Sequence, residues 1–253
     1  MPNPQVIEHA DKSELAASTG SRILAVINDA IENNGIAHLS LTGGTMGIAV
    51  WSAIAESGQA RTIDWSKVHF WWSDERFVET GHADRNEKQA KDALLDSLEI
   101  PAENLHIMGA SDVFDSVDKA AEAYTAELKK FAPEGQASPA FDLGLLGLGP
   151  DGHIASLFPD REEIHLTTFD SLAVRNSPKP PPTRVSMSLP VINRARKIWF
   201  LIAGSDKQDA TARLRQAAEL SDDQLTAEIL TATPGAGARG AEETLILATQ
   251  DAL

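Results

Sequence analysis

The stretch FDLGLLGLGPDGH, residues 141–153, begins as a nearly continuous apolar run and then breaks into glycine, proline and polar residues. A strand with one face in water alternates apolar and polar side chains. Phe141 to Leu148 is apolar on both faces apart from Asp142, so it reads as a central strand covered from both sides. Strands of that kind belong to α/β proteins, and the Gly- and Pro-rich turn behind it marks where the chain leaves the sheet.

Working outward, a cycle of helix, strand and turn repeats. Between Ser13 and Asn33 the apolar residues Leu15, Ile23, Val26, Ile27 and Ala30 recur at helical spacing, and Asn33, Asn34 and Gly35 stop the helix. Ile36 to Leu41 then predicts a strand, Thr42-Gly43-Gly44-Thr45 a turn, and Met46 to Glu56 a helix. The pattern continues with a strand at Val68 to Trp72, a helix at Asp84 to Leu98, a strand at Asn104 to Met108 and a long helix at Ser111 to Phe131. On the C-terminal side, Leu172 to Arg175 and Arg184 to Leu189 predict shorter strands around the proline-rich SPKPPP. Lys197 to Ala203 predicts a buried strand, Gly204 to Leu220 a helix, Thr233 to Gly240 a loop and Thr244 to Ala248 a last strand. Alternation at this spacing predicts a single α/β domain over residues 1–253, a Rossmann-like open sheet, mostly parallel and flanked by helices.

The 253 residues include 22 Lys and Arg against 37 Asp and Glu, a net charge of -15, which argues against nucleic acid or an anionic membrane as partner. An anionic small substrate then needs a local basic pocket. The absence of cysteine excludes disulfides, thiolate nucleophiles and zinc sites built on sulfur, and fits a cytoplasmic enzyme. The N-terminal MPNPQVIEHADKSE has neither a basic region nor an apolar run, and no stretch reaches the ~18 apolar residues of a membrane span, so secretion and membrane insertion are not expected. No apolar surface pattern calls for a partner copy, and a monomer is expected.

Ligands of open α/β sheets collect beyond the carboxyl ends of the strands. Gly43-Gly44-Thr45 lies where a helix begins, where free N–H groups and the helix dipole hold a phosphate; a tight turn made for steric reasons reads identically. Residues 147–152, GLGPDG, match the dinucleotide fingerprint in form only. Pro150 removes a donor, the match lies past the middle of the chain, and no acidic strand end follows about 20 residues on. Asp151-Gly152-His153 places a carboxylate beside an imidazole fit for general base catalysis, although Asp-Gly alone is also turn chemistry. In Ser73-Asp74-Glu75-Arg76, Arg76 is a candidate to stabilise a developing oxyanion, with a surface ion pair as the alternative. Arg184 and Lys207 are further cations at strand or loop positions that suit a phosphate. His106 and His165 read as structural or surface residues and Trp71, Trp72 and Trp199 as core; no residues have metal-site spacing, and neither a nucleophile elbow nor a P-loop is present.

The stretches LSLTGGT, WSDERFV, DRNEKQA, DLGLLGLGPDGHIASLFP, SPKPPPTRVSMSLPVIN and FLIAGSDK run in order across nearly the whole chain. In them the sequence resembles the 6-phosphogluconolactonase family, within the wider group that includes glucosamine-6-phosphate deaminases. The resemblance implies hydrolysis of 6-phospho-D-glucono-1,5-lactone to 6-phospho-D-gluconate in the oxidative pentose phosphate pathway, with no metal or cofactor. It implies His153 as the group that activates water, with Asp151 beside it, and Arg76 as a residue that holds substrate and stabilises charge. Gly43, Gly44, Thr45, Asp74, Arg184 and Lys207 would bind the phosphorylated sugar lactone. The glycine turn departs slightly from the family, with Thr42 where Ser is frequent and an unusual Met46-Gly47. Aminosugar-phosphate deaminases, the nearest rivals, carry a residue such as Tyr at the Arg76 position and an Asn-Glu sequence after the DGHIA element, where this chain has Ser156-Leu157-Phe158. A sugar-phosphate sensor would bring a basic DNA-binding head, which nothing before Ser13 provides.

Overall fold

The first ordered element is a strand, β1 (Gln5–His9), followed by α1 (Lys12–Asn34). Asp11 starts that helix by accepting the Glu14 N–H at 2.9 Å, and Gly35, at φ 83°, ends it. The computed structural model describes residues 3–253. The chain continues through β2 (Ala37–Leu41), α2 (Gly44–Ser57), β3 (Val68–Trp72), β4 (Asp74–Arg76), α3 (Asn86–Ala93) and α4 (Val117–Lys130). Then come β5 (Phe141–Gly147), β6 (Ser171–Val174), β7 (Arg184–Met187), α5 (Leu189–Ile192), β8 (Ala195–Ile202), α6 (Gln208–Ala218), α7 (Ala227–Ala232) and β9 (Glu243–Thr249).

Six strands form one parallel sheet in the order β1-β9-β8-β5-β2-β3, and β4, β7 and β6 form a small antiparallel sheet. As its sequence requires, β5 lies in the middle of the large sheet. Leu143 and Leu145 join a core shared with α1 and α2, while Leu146 joins a second core shared with α4 and α6. Trp71 and Trp72 divide between the same two cores because neighbouring strand residues point to opposite faces. The strand order runs from β2 outward to β3 and then resumes on the other side at β5, so the loops after β2 and β5 flank the point where a doubly wound sheet holds its ligand.

Several elements differ from expectation. Helix α4 begins at Val117, not Ser111, because Ser116 caps it by accepting from Lys119 N–H. Helix α3 is shorter than Asp84 to Leu98, since Leu94 leaves helical geometry and a 3-10 turn follows. Asn104 to Met108 is not a strand. It makes one bridge, Leu105 to Phe70, and the Met108 carbonyl accepts from Arg85 Nη2 at 2.6 Å. Strand β1 and helix α7 were not expected: β1 is a mostly exposed edge of mixed polarity, and α7 buries no residue.

A stacked aromatic and histidine group lies against the sheet. The His38 and His69 rings stack at 4.8 Å and Trp71 and His106 at 3.7 Å; Trp71 Nε1 donates to His38 Nδ1 at 3.1 Å, and His106 Nδ1 lies 3.0 Å from Glu127 Oε1. Burial, helped by His69 and His106, pushes His38 down to about 3; burial pushes His106 down to about 4 although Glu127 opposes it. Both rings therefore stay neutral in the fold while the unfolded chain takes up protons below about 6.5. The sign is that of depressed folded values: stability is complete above pH 6.5 and is lost on acidification, at up to roughly 1.4 kcal/mol per pH unit for each group. The Tm of the wild type should fall between pH 6.5 and 4.5, and that of His38→Gln should fall less steeply. Equal slopes in the two proteins would remove His38 as a source of acid sensitivity.

Candidate active site

The loops after β2, β5 and β8 meet the small antiparallel sheet around a cleft of about 330 Å³. Gly43, Gly44 and Thr45, Asp74 and Arg76, His153, Arg184 and Lys207 all line it. Among the residues expected at the site, Asp151 alone is not in the wall and stands behind His153.

The turn after β5 is built to present His153. Gly149 N–H donates to His153 O at 2.9 Å and Gly152 N–H to Gly149 O at 2.9 Å, closing a tight loop. A Cβ on Gly149 would lie 1.9 Å from His153 Nδ1, so the imidazole folds over a residue that must lack a side chain. His153 Nδ1 lies 2.5 Å from Asp151 Oδ1, which also accepts the His153 backbone N–H at 3.3 Å. Burial works against the Asp151 charge. The His153 hydrogen bond, the His153 and Lys179 charges and the backbone N–H outweigh it and hold the carboxyl well below the usual carboxylate range. A carboxylate accepts only, so the shared proton sits on Nδ1 and Nε2 carries the free lone pair. The Phe158 ring packs on the imidazole with centroids 4.6 Å apart.

Behind the turn, Arg213 Nη2 donates to Asp151 O at 3.1 Å, and Gly235 N–H donates to Gly152 O at 3.0 Å. The segment expected as a loop at Thr233 to Gly240 is thus a buried 3-10 turn at Pro234–Gly237 that braces the His153 loop.

Arg76 belongs to a cross-locked pair of segments, SDER and DRNE. Glu75, 1% exposed, accepts the N–H groups of Arg76, Asn86 and Glu87 at 2.8, 2.7 and 2.9 Å. Burial pushes its carboxyl up to about 7, with the Arg85 guanidinium and these N–H groups pulling the other way. Arg76 Nη1 donates to Asp84 O at 2.8 Å and to Asn86 Oδ1. Asp74 Oδ2 accepts from Ser156 Oγ at 2.6 Å and faces Arg184 Nη1 at 3.5 Å.

The glycine turn lacks a side-chain cap, and Gly44 adopts φ 78°, so the first N–H groups of α2 are not used by the protein's own side chains. Lys207 lies across the cleft, 3.0 Å from Asp206. Lys12, Asn86 and Lys179 also line the cleft and were not expected from sequence. Lys12 looks like any surface lysine at the start of a helix, and only the packing of α1 beside the loop after β2 brings it there. Together Lys12, Arg76, Lys179, Arg184 and Lys207 make the cleft locally positive in an acidic protein, against Asp74 and Asp206. Burial lowers the Lys179 ammonium, with Asp151 opposing and the like charges of Lys207 and Arg184 assisting.

The family model for glucosamine-6-phosphate isomerases/6-phosphogluconolactonase matches residues 10–246. The chain is 42% identical over 249 residues to 6-phosphogluconolactonase of Streptomyces coelicolor, covering 96% of this chain and 91% of that protein. It is 41% identical over 244 residues to 6-phosphogluconolactonase of Mycobacterium tuberculosis, covering 96% and 94%. The crystal structure of 6-phosphogluconolactonase from Leishmania guyanensis superposes with a TM-score of 0.80 at 25% identity, covering 98% of this chain and 97% of that one. The sheet order, the braced His153 loop and these likenesses together show that the chain belongs to the glucosamine-6-phosphate isomerase/6-phosphogluconolactonase family.

Proposed function

We propose that this chain hydrolyses 6-phospho-D-glucono-1,5-lactone to 6-phospho-D-gluconate, the lactone-opening step of the oxidative pentose phosphate pathway. The observation that carries the reading is the His153 imidazole held on Nδ1 by Asp151 at the edge of a cation-lined cleft, in a chain whose relatives at about 40% identity are named for this reaction.

In the mechanism we infer, His153 Nε2 takes a proton from water as the oxygen attacks the lactone carbonyl. Arg76 faces the oxyanion that forms. Collapse of the tetrahedral intermediate breaks the bond from the carbonyl carbon to the ring oxygen, and the imidazolium returns its proton to that oxygen, which becomes the product hydroxyl. Asp151 acts through His153 by fixing its tautomer and the orientation of its ring. The open N–H groups at Gly44 and Thr45, with Lys207 and the charge of Arg184, hold the phosphate. Water, base and donors complete this chemistry without a cofactor. We read the protein as a single-domain cytoplasmic monomer; no helix among the described residues is long and apolar enough to cross a membrane.

The test generates the lactone in place from glucose 6-phosphate and its dehydrogenase and follows 6-phosphogluconate formation with chelator present. Acceleration over spontaneous ring opening is expected. A folded protein that gives none, while converting glucosamine 6-phosphate, would place the chain with the aminosugar-phosphate branch of its family.

A further inference from the structure

We propose that Asn86 is the positioning residue that sets the Arg76 guanidinium against the glycine turn, and that it works through Arg76 without touching the reacting atoms. The proposal rests on the lactonase reading of the cleft.

Asn86 is 2% exposed and opens helix α3, with its own N–H held by Glu75 Oε1 at 2.7 Å. Its Nδ2 donates to Asp74 O at 2.8 Å and to Asp74 Oδ1 at 3.1 Å, while its Oδ1 accepts from Arg76 Nη1. Those partners fix the amide orientation, because the Arg76 nitrogen only donates and the Asp74 oxygens only accept. A carboxylate at this position has no donor for Asp74 and would oppose it; an apolar isostere serves neither side.

The same amide fills the space above Gly43. A Cβ on Gly43 would lie 1.7 Å from Asn86 Oδ1 and 2.3 Å from its Cγ. One side chain, from a third stretch of chain, therefore joins the glycine turn to the carboxylate and the arginine that β4 brings to the cleft. Arg76 Nη1 has one other acceptor, the Asp84 carbonyl. Without Asn86 a single tether remains, and a long side chain held at one point regains much of its rotamer freedom. The same contact explains why position 43 must be glycine: any side chain there displaces the amide and, with it, Arg76.

The experiment measures kcat on enzymatically generated lactone for the wild type, Asn86→Ala, Arg76→Ala and the double variant, with circular dichroism and inhibition by inorganic phosphate recorded for each. Asn86→Ala should lower kcat by up to roughly 100-fold, with phosphate inhibition within about two-fold of the wild type. In the Arg76→Ala background the same change should have little further effect. An equal loss in both backgrounds would mean that Asn86 supports the fold in general and would overturn the proposal. A second cycle guards against a poorly folded arginine variant: Gly43→Ala should lower kcat in the wild type and add little once Asn86 is alanine, and full additivity there also overturns it. An inactive wild type defeats the lactonase reading and this proposal together, whereas an active wild type with additive cycles defeats this proposal alone.

Discussion

His153→Ala should lower kcat for lactone hydrolysis by about three orders of magnitude while leaving the affinity for 6-phosphogluconate within about two-fold. Positioned general acid–base groups contribute roughly 10²- to 10⁴-fold, and His153 is asked to act twice, on the attacking water and on the departing ring oxygen. The loop that carries it is held by backbone hydrogen bonds, Gly149 N–H to His153 O, Gly152 N–H to Gly149 O and Gly235 N–H to Gly152 O, so removal of the imidazole should delete the proposed base and leave the loop in place. The phosphate grip proposed above lies elsewhere in the cleft lining, on the turn after β2 and on Lys207, so binding should survive. Asp151→Asn retains an oxygen to accept from Nδ1 but loses the charge that stabilises the imidazolium, and a smaller fall in kcat is expected. Asp151 is held well below the ordinary carboxylate range by its His153 partner, so a loss of rate on mild acidification does not report its protonation. Stopped assays against the spontaneous rate, with product binding followed by calorimetry, provide both numbers. A His153→Ala protein that keeps kcat within ten-fold, or one that loses product affinity as steeply as turnover, would end the base assignment.

Much of this architecture can be read from the chain because its signals are local. The apolar run at Phe141 to Leu148 announces a central strand, and the alternation around it announces a parallel sheet; β5 indeed lies between β8 and β2. The segments TGGT, SDER, GLGPDGH and AGSDK each follow a strand of the large sheet, and the rule that ligands gather at strand ends brings their residues to one cleft, although Asp74–Arg76 is itself the short strand β4 and not the expected loop. What escapes local reading is whatever depends on contacts between distant segments. Lys12 has no signature, and reaches the cleft only because α1 packs on α2 and the sheet. Asn86 sits in a stretch that reads as the start of a helix, and its importance emerges when Gly43 and Arg76 are found against it. The buried Arg85 looks like a surface charge in sequence, yet it collects the carbonyls of Arg76, Val78 and Met108 from three positions along the chain. Strand β1 lacks an alternation strong enough to be seen, because as an edge strand it exposes most of its residues.

Arg184→Ala should destabilise the protein by about 3 kcal/mol, lower Tm by roughly 10 °C and abolish most activity, whereas Lys207→Ala should raise KM with Tm unchanged. Both residues read from sequence as cations that suit a phosphate, and their surroundings divide them. Lys207 is an accessible lysine paired with an exposed aspartate, and its loss leaves no buried group without a partner. Arg184 is 5% exposed, and its fork is engaged by the protein: Nε donates to Pro181 O at 3.1 Å, and Nη2 donates to Lys179 O and Pro180 O at 3.2 Å each. Its Nη1 faces Asp74 Oδ2 at 3.5 Å. In the proposed site Arg184 would therefore present charge rather than a free donor to the phosphate. Its removal would strand the Asp74 carboxylate in a buried site and free the loop carbonyls that place Lys179 in the cleft wall, and a broken buried pair costs more than a lost surface contact. The guanidinium carbon also lies 5.9 Å from the centre of the Phe158 ring, whose face packs on His153, so the loss should propagate to the base. Arg184→Lys separates the contributions: a lysine keeps the charge opposite Asp74 but cannot span three carbonyls, and should recover part of the stability and less of the turnover. Thermal melts beside steady-state kinetics decide the matter. An Arg184→Ala protein with the wild-type Tm and only a raised KM would return this residue to the simple phosphate-binding role that its position in PTRVSMSLP suggests.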